Sequence, residues 1–132
     1  MATLLAHIRI KPGAEAEWEA AMANLVENTL ANEAEVIRYE YWKGQEPLTY
    51  YAFLSFTSKN AFFTHQDAPY HRSQAYGDIF DDIRLEFVDP VSTASPLPRT
   101  ENPALPEDAP DGIKEWETTS PVQIADWWRD RA

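Results

Sequence analysis

Leu4, Ala6, Ile8 and Ile10 alternate along the chain with Leu5, His7 and Arg9. That period of two predicts a strand over residues 3–10 with one wholly apolar face and one mixed face. Lys11-Pro12-Gly13 stops it with turn residues. From Ala14 to about Glu33 the period changes, and Trp18, Met22, Leu25, Val26 and Thr29 recur at steps of three and four. This is an amphipathic helix, with Glu15, Glu17 and Glu19 in the first turns, where they complement the helix dipole. Period two returns over Val36–Lys43, with Ile37, Tyr39 and Tyr41 on one side and Arg38, Glu40 and Trp42 on the other. Gly44-Gln45-Glu46-Pro47 reads as a turn, and Leu48–Phe56 as an aromatic third strand paired antiparallel with the second. Thr57 or Ser58 caps a short helix over 58–66, Pro69 breaks it, and a further helical run is expected over about 70–82. A short fourth strand over 84–89 ends at Pro90.

The predicted order is βαββαβ within about 90 residues, so the fold class is α+β. Right-handed crossovers through both helices give a ferredoxin-like split-βαβ antiparallel sheet with both helices on one face. The other face carries Leu5, His7, Arg38 and Trp42, too apolar to leave wet and too polar for a core. Pairing of two sheets in a homodimer is the expected solution.

Residues 1–91 form this predicted body, and 92–132 an arm. Pro96, Pro98, Pro103, Pro106 and Pro110 predict an extended stretch over 92–113 without helix or sheet. Ser120-Pro121-Val122-Gln123 is a capping box, and it predicts a short helix over about 121–131 that carries Trp127 and Trp128. Burying such rings, with Trp116 before them, stabilises by ~2 kcal/mol each, so the arm is expected to strap onto the body or onto a dimer partner.

Charge narrows the function. Eleven basic residues against 22 acidic ones leave a net charge of −11, the wrong sign for nucleic acid or an anionic membrane. The chain has no cysteine, which removes disulfides and thiolate chemistry. No signal peptide and no apolar run near the ~18 residues of a membrane span is visible, so the expected location is cytoplasmic.

Several of these features taken together resemble the antibiotic-biosynthesis monooxygenase family. They are the first strand into Lys11-Pro12-Gly13, the Glu-rich helix, Ile37-Arg38-Tyr39-Glu40, the aromatic third strand, and His65 followed by Pro69-Tyr70-His71. The resemblance covers roughly residues 2–90. It implies a dimeric α+β barrel with a pocket between sheet and helices, and oxygenation of phenols or hydroquinones by O2 without metal, flavin or other cofactor. Many relatives carry an acid late in strand three and a Trp shortly after, where this chain has Leu54 and Phe56. A haem-degrading branch of the fold uses an Asn, a Trp and a haem-ligating His at positions that read Ala6, His65 and about Ala75 here.

The candidate chemistry centres on residues 62–72. Cofactor-free oxygenation needs a phenolate, and an imidazole is the natural base near neutrality, which selects His65. Arg72 could hold developing phenolate or peroxide charge; the alternative is a surface ion pair with Asp67 or Asp78. Tyr39, Tyr41, Tyr51, Phe62 and Tyr70 are the candidate substrate-lining aromatics. His71 is expected to be structural or exposed, His7 to bond across the dimer interface, and no metal site is expected. The expected function is therefore a cofactor-independent monooxygenase acting on a hydroxylated aromatic. The alternatives are a non-oxidative isomerase, lyase or cyclase that uses His65 for proton transfer, and a non-enzymatic small-molecule-binding protein of the same fold.

Overall fold

The computed structural model describes all residues except 73–77, 92–93, 125–126 and 128–132, together with the backbone alone of Arg72. Strand β1 (Ala2–Ile10) leads into helix α1 (Glu15–Asn32), then the hairpin β2 (Val36–Lys43) and β3 (Thr49–Phe56). Helices α2 (Lys59–Asp67) and α3 (Pro69–Arg72), strand β4 (Phe80–Phe87) and helix α4 (Asp111–Thr119) follow. The four strands form one antiparallel sheet in the order β2-β3-β1-β4, the ferredoxin-like arrangement read from the sequence.

The alternation in β1 fixes which face is buried. Leu4, Ala6 and Ile8 stand opposite Leu54, Ala52 and Tyr50 of β3, and all six side chains are buried. Trp18, Met22 and Leu25 of α1 and Phe62 and Phe63 of α2 join them in one core. Burying such side chains supplies roughly 1.5–3 kcal/mol each, which is why the apolar period decides the face. On the reverse face Leu5 stands opposite Phe53 and His7 opposite Tyr51, with Trp42 59% exposed.

Local chemistry sets the ends of the helices that matter. The turn before α1 places Gly13 at φ +84°, a left-handed conformation that glycine adopts without a Cβ clash. Ser58 caps α2, its Oγ accepting from the Ala61 amide at 3.1 Å. Pro69 holds Ala68 extended (φ −62°, ψ 139°), so α2 stops at Asp67 and a separate turn, α3, begins.

Four expectations are corrected. The register shifts between Val36 and Arg38, and this bulge turns Ile37 outward, 42% exposed, instead of onto the covered side with Tyr39. Strand β4 starts at Phe80 instead of 84, because Phe80, Ile83, Leu85 and Phe87 already belong to strand pairing with β1. The arm holds a helix at Asp111–Thr119, inside and beyond the stretch expected to be extended. Ser120 is the C-cap of that helix, its amide bonded to the Trp116 carbonyl at 2.8 Å, and residues 121–124 have no regular structure. The expected helix over 121–131 therefore does not begin at Pro121; most of the remainder, including Trp128, lies outside the described residues.

The arm docks on its own chain. The Glu101 amide bonds the Met1 carbonyl at 3.0 Å, and Thr100, buried beside the start of β1, receives the Thr3 amide on its Oγ1 at 3.4 Å. Further on, α4 packs on α2: Ile113 is buried, Trp116 Nε1 donates to Asp67 Oδ1 at 3.2 Å, and Lys59 donates to Asn102 Oδ1 at 2.6 Å and to Glu117.

Candidate functional site

The last turn of α2 carries His65 onto the sheet, where its ring meets Tyr39 of β2 edge-on at 4.7 Å between centroids and Phe56 of β3 at 5.3 Å. The imidazole is completely buried. Its Nδ1 lies 3.0 Å from Glu33 Oε2, and its Nε2 has no hydrogen-bond partner among the described residues. Buried polar atoms are almost always partnered, so an imidazole nitrogen without a partner among the described residues, beside a satisfied one, is an exception that calls for a reason.

Glu33 is the C-cap of α1, extended at φ −118°, ψ 110°, with its amide still bonded to the Thr29 carbonyl. The same Oε2 that meets His65 accepts the hydroxyl of Tyr70, carried on the short helix after the Pro69 break. Burial, reinforced by the Glu33 carboxylate, raises the Tyr70 hydroxyl far above its ordinary pKa, so it remains a donor. His71 then brings its ring to 4.8 Å from that of His65. Burial first, and the His65 ring second, push His71 down to about 4, with Glu33 opposing. Beyond Tyr39, its hydroxyl pairs with that of Tyr41 at 3.0 Å, and burial pushes Tyr41 up to about 12. The assembly is a carboxylate, two imidazoles and three phenols, drawn from α1, β2, α2 and α3.

Two of the recesses that border it are lined by its tyrosines. Tyr39 and Tyr41 line a groove of about 650 Å3 between α1 and β2, with Trp18, Met22, Trp42 and Tyr50. On the other side Glu33 and Tyr70 border a cleft of about 430 Å3 with Asp67, Pro69 and Ile113. His65 lines neither recess. The helix break thus borders a cleft, but the imidazole itself is enclosed.

The expected site residues separate accordingly. His65, Tyr39, Tyr41 and Tyr70 come together. Phe62 is fully buried core, packed on Phe56, Phe63 and Phe87, and it borders a separate recess with Phe87, Ser120 and Pro121 that none of the other expected site residues lines. Tyr51 lies on the opposite sheet face, edge-on to His7 at 5.8 Å, since alternation in β3 sends it away from Tyr50. The side chain of Arg72 lies outside the described part, as does Ala75. His71, expected to be structural or exposed, is half-buried against His65. His7 bonds within its own chain, to Glu86 at 3.3 Å. Glu33 was not anticipated. Its one sequence signal is an acid at a helix carboxyl end, where the dipole opposes it.

Comparison with known proteins agrees with this architecture. Residues 1–75 match the family model described as antibiotic biosynthesis monooxygenase, and the chain belongs to that family. Solved structures with the same fold include a putative antibiotic biosynthesis monooxygenase from Caulobacter crescentus, at 20% identity and TM-score 0.63, the match covering 68% of this chain and 89% of that one. A putative antibiotic biosynthesis monooxygenase from Nitrosomonas europaea aligns at 9% identity and TM-score 0.64, covering 69% and 99%. A protein from Shewanella oneidensis aligns at 24% identity and TM-score 0.61, covering 66% and 87%. None of the curated proteins matches the sequence significantly. Among the described residues no helix is long and apolar enough to cross a membrane.

Proposed function

We propose that the protein is a cofactor-independent monooxygenase of a hydroxylated aromatic compound, a phenol or hydroquinone, with His65 as the base. The observation that carries the reading is the buried imidazole with Nδ1 held by Glu33 and Nε2 without a hydrogen-bond partner among the described residues. Once the packing around the enclosed ring opens to admit a substrate hydroxyl to Nε2, this base takes the phenol proton, and the resulting phenolate gives an electron to O2 far more readily than the phenol does. Recombination forms a C–O bond. Cleavage of the O–O bond with loss of the ring hydrogen then leaves a quinone and one water, so O2 is consumed one for one and both electrons come from the substrate. The aromatic groove between α1 and β2 suits a planar ring, stacked among Trp18, Tyr41 and Tyr50. Tyr39, which lines the groove and touches the imidazole, connects the two. Arg72, following His71 on α3, is assigned the charge on the phenolate or peroxide. Two chains are taken to meet through the faces that carry His7, Trp42, Tyr51 and Phe53.

The test is oxygen uptake by metal-free protein with a panel of hydroquinones and polyphenols. His65→Ala is expected to lower turnover by roughly 10²–10⁴-fold. Full activity in that variant removes the proposed base. Turnover that continues unchanged without O2 selects an isomerase, lyase or cyclase that uses the same His65. Binding without turnover across the panel selects a non-enzymatic binding protein.

A further inference from the structure

We propose that Glu33 is a positioning residue that fixes His65 in a single tautomer, with its hydrogen on Nδ1 and its lone pair on Nε2. This deepens the reading of His65 as a base and rests on it only for the effect on turnover; the tautomer itself is a property of the free protein.

The argument starts from what each atom can do. A neutral imidazole has one N–H and one lone pair, and which nitrogen carries which is set by the partner of either. An ionised carboxylate only accepts, so 3.0 Å between Nδ1 and Glu33 Oε2 requires the hydrogen on Nδ1. In the neutral ring the lone pair is then on Nε2, the buried nitrogen without a partner among the described residues. The other described groups that face the imidazole are compatible with that state. Tyr39 presents a ring from β2, and Phe56 a ring from β3. His71 stands against it from α3 and is held neutral. Tyr70 does not compete, because its hydroxyl donates to the same carboxylate oxygen. Tyr70 and His65 thus meet on one oxygen of an acid that stands at the end of α1.

The pairing also gives the proposed chemistry its charge. When Nε2 takes a proton, the positive imidazolium already has a carboxylate on its other nitrogen, in a buried setting where such an interaction is little screened. Glu33 itself does not touch a bound aromatic in the α1–β2 groove, since it borders the opposite cleft. Its loss should therefore act on kcat and leave KM nearly unchanged.

Glu33→Gln tests this, because an amide can either accept from Nδ1–H or donate to Nδ1, and so permits both tautomers. In 15N-labelled wild-type protein near pH 7.5, the His65 side chain is expected to show a pyrrole-type Nδ1 and a pyridine-type Nε2. In Glu33→Gln the Nε2 signal should move toward the pyrrole-type position, and kcat should fall at least about tenfold. Tyr70→Phe, which leaves the carboxylate on Nδ1, should keep the wild-type tautomer and serves as the control for a merely disturbed α1–α3 contact. A wild-type spectrum with the hydrogen on Nε2, or a Glu33→Gln protein that folds and keeps the wild-type signals, overturns the proposal. A wild-type pattern lost equally in Tyr70→Phe overturns it too, since packing and not the carboxylate would then set the tautomer. If the tautomer responds as expected while no substrate consumes O2, the dyad stands and the oxygenase reading fails.

Discussion

His71 is kept neutral by burial, with the neighbouring His65 ring adding to the effect, so its pKa drops from 6.5 to about 4. An unfolded chain takes a proton there near 6.5, whereas the folded chain resists until about 4. Within that window the unfolded state holds the extra proton, so stability falls as pH drops from about 6.5 toward 4 and is restored as pH rises. His71→Gln removes the linkage. Urea midpoints measured in steps across the window should fall less steeply for the variant than for the parent, by a cumulative difference on the order of 2 kcal/mol. Equal slopes would place His71 in water instead of against His65. The same residue shows what a sequence conceals. His65 and His71 flank a proline, and helical rotation alone turns the second outward. Only the new axis of α3 after Pro69 brings its ring back.

At the scale of elements, the strands were legible because alternation in Leu4–Ile10 and Tyr50–Phe56 survives directly in the register. The departures have local causes. A bulge between Val36 and Arg38 reverses Ile37, and no period-two count detects one extra residue. Helix α4 was hidden because prolines precede it and its apolar positions are few, Ile113 and Trp116 meeting α2 across long sequence separation. Glu33 was hidden for a related reason: its partner His65 is 32 residues away, and carboxylates at helix ends are ordinarily solvated. The α2–α4 contact makes a separate prediction. Lys59 has a side chain only 5% exposed, and its partner Glu117 is 39% exposed. Glu117→Ala should lower stability on the order of 1–2 kcal/mol by leaving a buried ammonium short of its carboxylate. Lys59→Met combined with Glu117→Ala should recover most of that loss, because the charge that needed a partner is gone. Thermal midpoints of the two single variants and the double variant decide it; a double variant as weak as Glu117→Ala would mean that α4 itself had undocked.

For the whole molecule, the reverse sheet face is where the proposed second chain belongs. Trp42 and Tyr51 are exposed there, His7 pairs with Glu86, and Arg38 lies over the Phe53 ring at 4.9 Å. Trp42→Glu is expected to convert a dimer into a monomer, read as a halving of mass by light scattering after gel filtration; a parent protein already at monomer mass would refute the dimer. On the opposite side the arm ties the body together, and the tie spans the chain's own history. Lys59 finds Asn102 and Glu117 at separations of 43 and 58 residues. On the ribosome, α2 emerges well before either partner, with its lysine still hydrated and its outer face bare. The sheet and its first helices can assemble meanwhile, but α2 cannot give up the water around that ammonium until the arm arrives. Synthesis of the arm is thus the event that covers Lys59 and lets α2 settle.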